Sequence, residues 1–153
     1  MIFWDVEELK KQIRIGALTE WNCFKYLLLF LTINALGLEL ICYFPVEESN
    51  YWDYAASVLN VLVVFFGTIF AFHANGGKNG EKFLEKYLSI GFVISIRFLV
   101  YCIPVYILYA SFYFYELYEI NATLTEVVDL LPLFIWYSLM YWRIAVHIKK
   151  IRS

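Results

Sequence analysis

Apolar residues in this chain run in stretches too long for a small soluble domain. No Lys or Arg lies between Lys25 and Lys78, and between Lys86 and Arg143 the single cation is Arg97. About 20 apolar residues suffice to cross a bilayer core of about 30 Å. Four segments reach that length, at about 21–44, 54–74, 87–113 and 126–147. The first ends at Pro45, and the second ends in Asn75-Gly76-Gly77-Lys78-Asn79-Gly80, a strong turn signal. The third helix starts near Glu81 and is longer than a bilayer requires, so its first turns, with Lys82, Glu85 and Lys86, project out of the membrane. Thr123 and Glu126 have capping-box spacing ahead of the fourth.

The first 15 residues follow a different rhythm. Ile2, Val6, Leu9 and Ile13 share one helical face, while Asp5, Glu7, Glu8, Lys10, Lys11 and Arg14 fill the rest. Asp5 and Glu8 have the look of an N-terminal cap pair. Such a helix fits two arrangements. It can lie flat in the membrane interface with Phe3 and Trp4 as anchors, or it can pack on the loops of the bundle. The predicted fold is therefore all-α: a polytopic membrane protein, with an amphipathic interfacial helix over 1–18 and a four-transmembrane-helix bundle over 19–153.

Composition agrees. Of 153 residues, 62% are hydrophobic and 17% charged, against about half apolar and a quarter charged in soluble domains. The charges are segregated: eleven of the twelve Lys and Arg fall in 10–25, 78–86 and 143–152. The two remaining loops hold none, and seven acidic residues (Glu47, Glu48, Asp53, Glu116, Glu119, Glu126 and Asp129) lie in or beside them. Because cytoplasmic loops carry the Lys/Arg excess, this distribution puts both termini and the Asn75–Lys86 loop in the cytoplasm. No basic face is joined to a readout motif, so nucleic acid is not an expected partner. The arrangement resembles that of small four-span bacterial membrane proteins, which implies the bacterial inner membrane. The first 15 residues do not have the form of a cleavable signal peptide, so the first span is expected to serve as the insertion signal.

Arg97 is the residue this topology cannot place in water. It sits about ten residues into the apolar part of the third span, hence about 15 Å deep. A centred Arg costs about 2.5–3.5 kcal/mol on insertion scales, so a partner is expected, and Glu39 on the first span is the best candidate. The pair reads either as a site for an ion, a proton or an anionic substrate, or as an ion pair that fixes helix register. A small and polar stripe supports an internal place for Glu39. Thr32, Ala35, Glu39 and Cys42 share one face of the first span, and Asn60, Gly67, Ala71 and Ala74 share one face of the second. Gly67 and Ala71 form a small-x-x-x-small pair that lets helices approach closely, within one chain or between copies.

The turn Asn75, Gly76, Gly77, Lys78 and Gly80 reads first as a tight connection, with Gly76 or Gly77 left-handed. Its second reading is a phosphate or lipid-headgroup site formed with Lys82. Tyr106, Tyr109 and Tyr113 share a helix face near an acidic rim, a pattern suited to organic cations, and Pro104 lies between them and Arg97. Cys42 and Cys102 stand at similar depth, but no C-x-x-C or metal-spaced cluster occurs. His73 and His147 lie near span ends without an evident catalytic partner. Asn121-Ala122-Thr123 matches a glycosylation sequon.

No catalytic constellation, cofactor motif or metal motif emerges. The expectation is a non-enzymatic interaction or effector subunit of the membrane, working as a homo-oligomer or with another membrane or cytoplasmic subunit. The runner-up is a small transporter or channel using Glu39 and Arg97. A thiol-redox or lipid-modifying enzyme comes third.

Overall fold

The computed structural model describes residues 2–43, 50–116 and 127–152. The Thr123/Glu126 cap, the Asn121 sequon and most of both acidic loops lie outside the described residues. So do the side chains of Cys42, Tyr106, Tyr109 and Tyr113. Five α-helices are described: α1 (Val6–Arg14), α2 (Glu20–Tyr43), α3 (Tyr51–Ala74), α4 (Phe83–Glu116) and α5 (Val127–Arg152). A single 3-10 turn, Gly77–Asn79, follows α3.

Local chemistry accounts for the helix starts. Asp5 caps α1 by accepting from the backbone N–H groups of Glu7 and Glu8 at 3.0 and 3.1 Å. Asn50 caps α3 in a reciprocal box: its side chain accepts from Trp52 and Asp53, and Asp53 accepts from the Asn50 N–H at 2.8 Å. Both Gly76 and Gly77 take positive φ, 107° and 58°, which lets the chain reverse directly after α3. Asn75, fully buried, holds that reversal. Its side chain donates to the Glu81 carbonyl at 3.2 Å and accepts from Lys86 Nζ at 2.9 Å. α4 runs through Pro104 and α5 through Pro132 without a break in assignment.

Three helices, α2, α3 and α4, are long and apolar enough to cross a membrane, over Glu20–Glu39, Tyr51–Ala74 and Phe83–Val105. The chain is thus consistent with a helical membrane protein. α5, at 26 residues, has the length.

Packing is most extensive between α3 and α5, then between α4 and α5 and between α2 and α4, with α1 set against α4 and α5. The largest buried cluster sits at one end. Val6, Leu9, Ile13, Leu18, Tyr26, Ala71, Ile90, Val93, Ile144, Ile148 and Ile151 form one buried cluster there. This end also carries α1, the Asn75–Gly80 turn and the C-terminus of α5, and is called the basic end below. Toward the far end, residues 31–39 of α2, Leu99–Tyr101 and Ile103–Val105 of α4 and Leu131–Ile135 of α5 are exposed and mostly apolar.

Candidate functional site

Arg97 stands where the two ends meet. α4 has 34 residues, about 50 Å of helix, well beyond a hydrocarbon core of about 30 Å. Its buried stretch covers Ser89–Ile94, and beyond it exposed residues begin at Leu99. Arg97 lies between them, and its Nη2 donates to the Trp4 carbonyl. The guanidinium carbon also sits 5.3 Å from the centroid of the Trp4 ring. Glu39 is elsewhere: it is exposed on α2, and among the described residues no ion pair within 4.0 Å links it to Arg97. The structure therefore does not bring the two predicted partners together; Arg97 is engaged by the N-terminal segment. A backbone carbonyl plus an aromatic face can hold a guanidinium without a carboxylate, because Arg presents five donors and a flat cationic surface. Its Nε is buried without a partner.

The N-terminal segment is fastened at several further points. The Tyr26 hydroxyl, on α2, accepts from the Ile2 N–H and donates to the Ile2 carbonyl, both at 2.9 Å. Phe3 meets Phe92 edge-on at 6.2 Å, and Trp4 meets Tyr101 at 6.1 Å. Arg14 Nη2 donates to the Lys150 carbonyl. Glu7 and Lys10 lie within electrostatic reach of His147. Glu7 is also within electrostatic reach of Lys150. α1 stands alongside α5, and the apolar face predicted from Val6, Leu9 and Ile13 is taken up by protein. Of the two arrangements open in the sequence, packing on the bundle is the one observed for this face, although Phe3 and Trp4 each keep about half their surface open, 51% and 47%.

The predicted small stripe divides. Gly67 and Ala71 face α5: a Cβ at Gly67 would run into the Tyr141 ring, and Ala71 is fully buried. Their smallness serves contact within the chain. Asn60 is exposed and lines a cavity of about 240 Å³ with Ser57, Leu133 and Tyr137. On α2, Thr32 donates to the Leu28 carbonyl at 2.8 Å and Asn34 to the Phe30 carbonyl at 2.7 Å. These polar groups are satisfied inside their own helix, as apolar surroundings demand.

The Asn75–Gly80 turn behaves as a tight connection. Gly80 approaches Asn75 so closely that a Cβ there would collide with it. Lys86 is turned inward onto Asn75, whereas Lys78 and Lys82 are exposed. His147 is buried, and neither ring nitrogen has a hydrogen-bond partner. Cys23 and Cys102 are free thiols, and the side chain of Cys42, which the sequence puts at the depth of Cys102, lies outside those described. Among the described residues no three His, Cys, Asp or Glu side chains gather as metal ligands.

Two features escaped the sequence reading. One is the pinning of Ile2 by Tyr26. The other is an apolar groove of about 450 Å³ between α3 and α5, lined by Leu62, Phe66, Phe70, Phe134, Ser138 and Trp142 among others. The available signal for the first was an aromatic N-terminus opposite a tyrosine one turn into a span. The second had none, since it depends on which faces of α3 and α5 meet. Comparison with protein-family models, curated proteins and solved structures finds no match to this chain, so the functional reading rests on its own geometry.

Proposed function

We propose that the protein is a non-enzymatic interaction subunit of a cell membrane, working as a homo-oligomer or as the membrane component of a complex. In this reading α5 is a fourth span, both termini and the Asn75–Gly80 turn lie in the cytoplasm, and the membrane is the bacterial inner membrane. The Lys/Arg distribution supports that orientation.

One observation carries the reading. Residues 31–39 of α2 are exposed on every side of the helix, and Glu39 is among them. A helix that packs on one neighbour hides one face, and this stretch hides none. A carboxylate near hydrocarbon is costly, on the order of 2–3 kcal/mol for a charged residue at mid-span and less toward the interface. A protein partner that supplies hydrogen bonds to Glu39 removes that cost and covers the bare helix. The transporter or channel reading needs Glu39 and Arg97 on one path, and Arg97 is occupied by Trp4.

The test is self-association and partner contact at this face. Single-molecule photobleaching in liposomes, together with photo-crosslinking from position 36, should give a dimer or higher species, or a reproducible protein crosslink. Leu38→Trp should disrupt that product, and Leu131→Trp, on α5, should leave it intact. A monomer at every dilution that crosslinks only to lipid would overturn the proposal. Ion flux through the liposomes that changes with Glu39→Gln would replace it with the channel reading.

A further inference from the structure

We propose that the groove between α3 and α5 binds an anionic phospholipid, with one acyl chain in the groove and the phosphate held by His73, Lys78 and Lys149. This site is separate from the α2 face and does not depend on it.

The size of the groove selects the occupant. Along α3 it extends from Leu59 to Phe70, about 16 Å at 1.5 Å per residue. Spread over that length, a volume of about 450 Å³ leaves a cross-section of about 27 Å², room for one extended hydrocarbon chain. Its lining is apolar apart from Ser138 and Tyr141, and Phe66, Phe70 and Trp142 of that lining are themselves exposed.

The charge at one mouth selects the headgroup. α3 and α5 run in the same direction: Ala56 and Leu130 line one cavity, and Gly67 faces Tyr141 further along. His73 lies seven residues past Phe66, and Lys149 seven past Trp142. That is two helical turns, so each continues the groove-lining face of its helix. From the Gly67–Tyr141 crossing, His73 is about 9 Å and Lys149 about 12 Å toward the basic end, within one turn of each other. The turn after α3 folds back on the imidazole, since a Cβ at Gly77 would lie 3.7 Å from His73 Nδ1. Lys78, the next residue, belongs to that same turn. All three side chains are exposed. An apolar slot ending in such a mouth matches an acyl chain ending in a phosphate, and basic residues beside a span attract anionic headgroups.

Trp142 in the groove provides the probe. The full chain is reconstituted into phosphatidylcholine vesicles containing increasing fractions of phosphatidylglycerol brominated on its acyl chains. The Trp142 signal is the fluorescence difference between wild type and Trp142→Phe. Saturable quenching is expected, half-complete at an anionic fraction about tenfold lower than in the triple variant His73→Gln, Lys78→Gln, Lys149→Gln. Ser138→Leu, which fills the groove and leaves the charges, should abolish it. Brominated phosphatidylcholine should quench only in proportion to its mole fraction, and inorganic phosphate should not compete. Four results would each overturn the assignment: proportional quenching by the anionic lipid, no change in the triple variant, competition by free phosphate, or quenching lost as protein density rises because a second copy occupies the groove.

Discussion

At the basic end Leu9 is fully enclosed, while at the far end Leu36 leaves 58% of its surface open. The same residue type answers to two environments in one chain. Glycines repeat the contrast: Gly67 is held against Tyr141, and Gly37 has open space where a Cβ would sit. Polar groups do too, since Tyr26 and Asn75 are buried with partners and Glu39 is exposed. The difference teaches where the fold is held. At the basic end, protein contacts protein, and each side chain has a specific neighbour. At the far end α3 and α5 keep their contact, while residues 31–39 of α2 are held mainly by backbone hydrogen bonds and by whatever surrounds them, lipid or a partner.

The sharpest way to break this comparison is to truncate one leucine from each end. Leu9→Ala removes a buried side chain at the contact of α1 with α4 and α5, and the expected cost is about 2–5 kcal/mol. Leu36→Ala removes an exposed one and should fall within about 0.5 kcal/mol. Titrating unfolding with SDS in mixed micelles measures both. Equal losses would mean that the far end is packed after all, by a partner that purifies with the protein.

The glycine pair comes next in size. Gly67→Val pushes α3 away from Tyr141, an overpacking penalty of about 1–3 kcal/mol. Gly37→Val meets no neighbour and should leave the same unfolding curve unchanged apart from a small helix-propensity term. A large loss at Gly37 would place it in an interface between chains and sharpen the proposal for α2.

How far these contrasts were legible in the sequence depends on the kind of signal each leaves. Long apolar runs closed by Pro45 or by Asn75-Gly76-Gly77 are local and unambiguous, so α2, α3 and α4 and the turn were readable from residues alone. The face of α1 was also readable, but its use was not: Val6, Leu9 and Ile13 suit lipid and protein equally, because both are apolar. The partner of Arg97 was sought among carboxylates, as charge matching suggests. Trp4 offers a backbone carbonyl and a ring, and neither is marked by charge. Gly67 gave the close approach but not the neighbour, since small-x-x-x-small spacing does not tell one's own α5 from a second copy's helix. The groove beside it follows from that choice of neighbour and was correspondingly invisible.

The smallest expected effect concerns how α1 is held at low pH. Lys10 is buried, with its side chain 6% exposed, and it pairs at 2.6 Å with Glu7, whose side chain is 75% exposed. The hydrogen bond from Lys10 holds the Glu7 carboxyl below the ordinary carboxylate range. A carboxylate with a lowered folded pKa contributes stability above its unfolded value, about 4.3 for Glu, and loses it as pH falls through the folded value. The contribution of the Glu7–Lys10 pair should therefore be complete from neutral pH down to about 4.3 and be lost below it. The effect is modest because Glu7 is open to solvent and screened by salt. Hydrogen exchange at the Leu9 and Ile13 amides, followed from pH 6 to about pH 3 and corrected for intrinsic rates, reads that loss directly. Glu7→Gln should remove the step below about 4.3 and leave Lys10 enclosed without its carboxylate, so exchange becomes faster already at pH 6. A variant that matched wild type across the range would show that the buried ammonium is held by something other than Glu7. The contrast between the two ends would then rest on apolar contact alone.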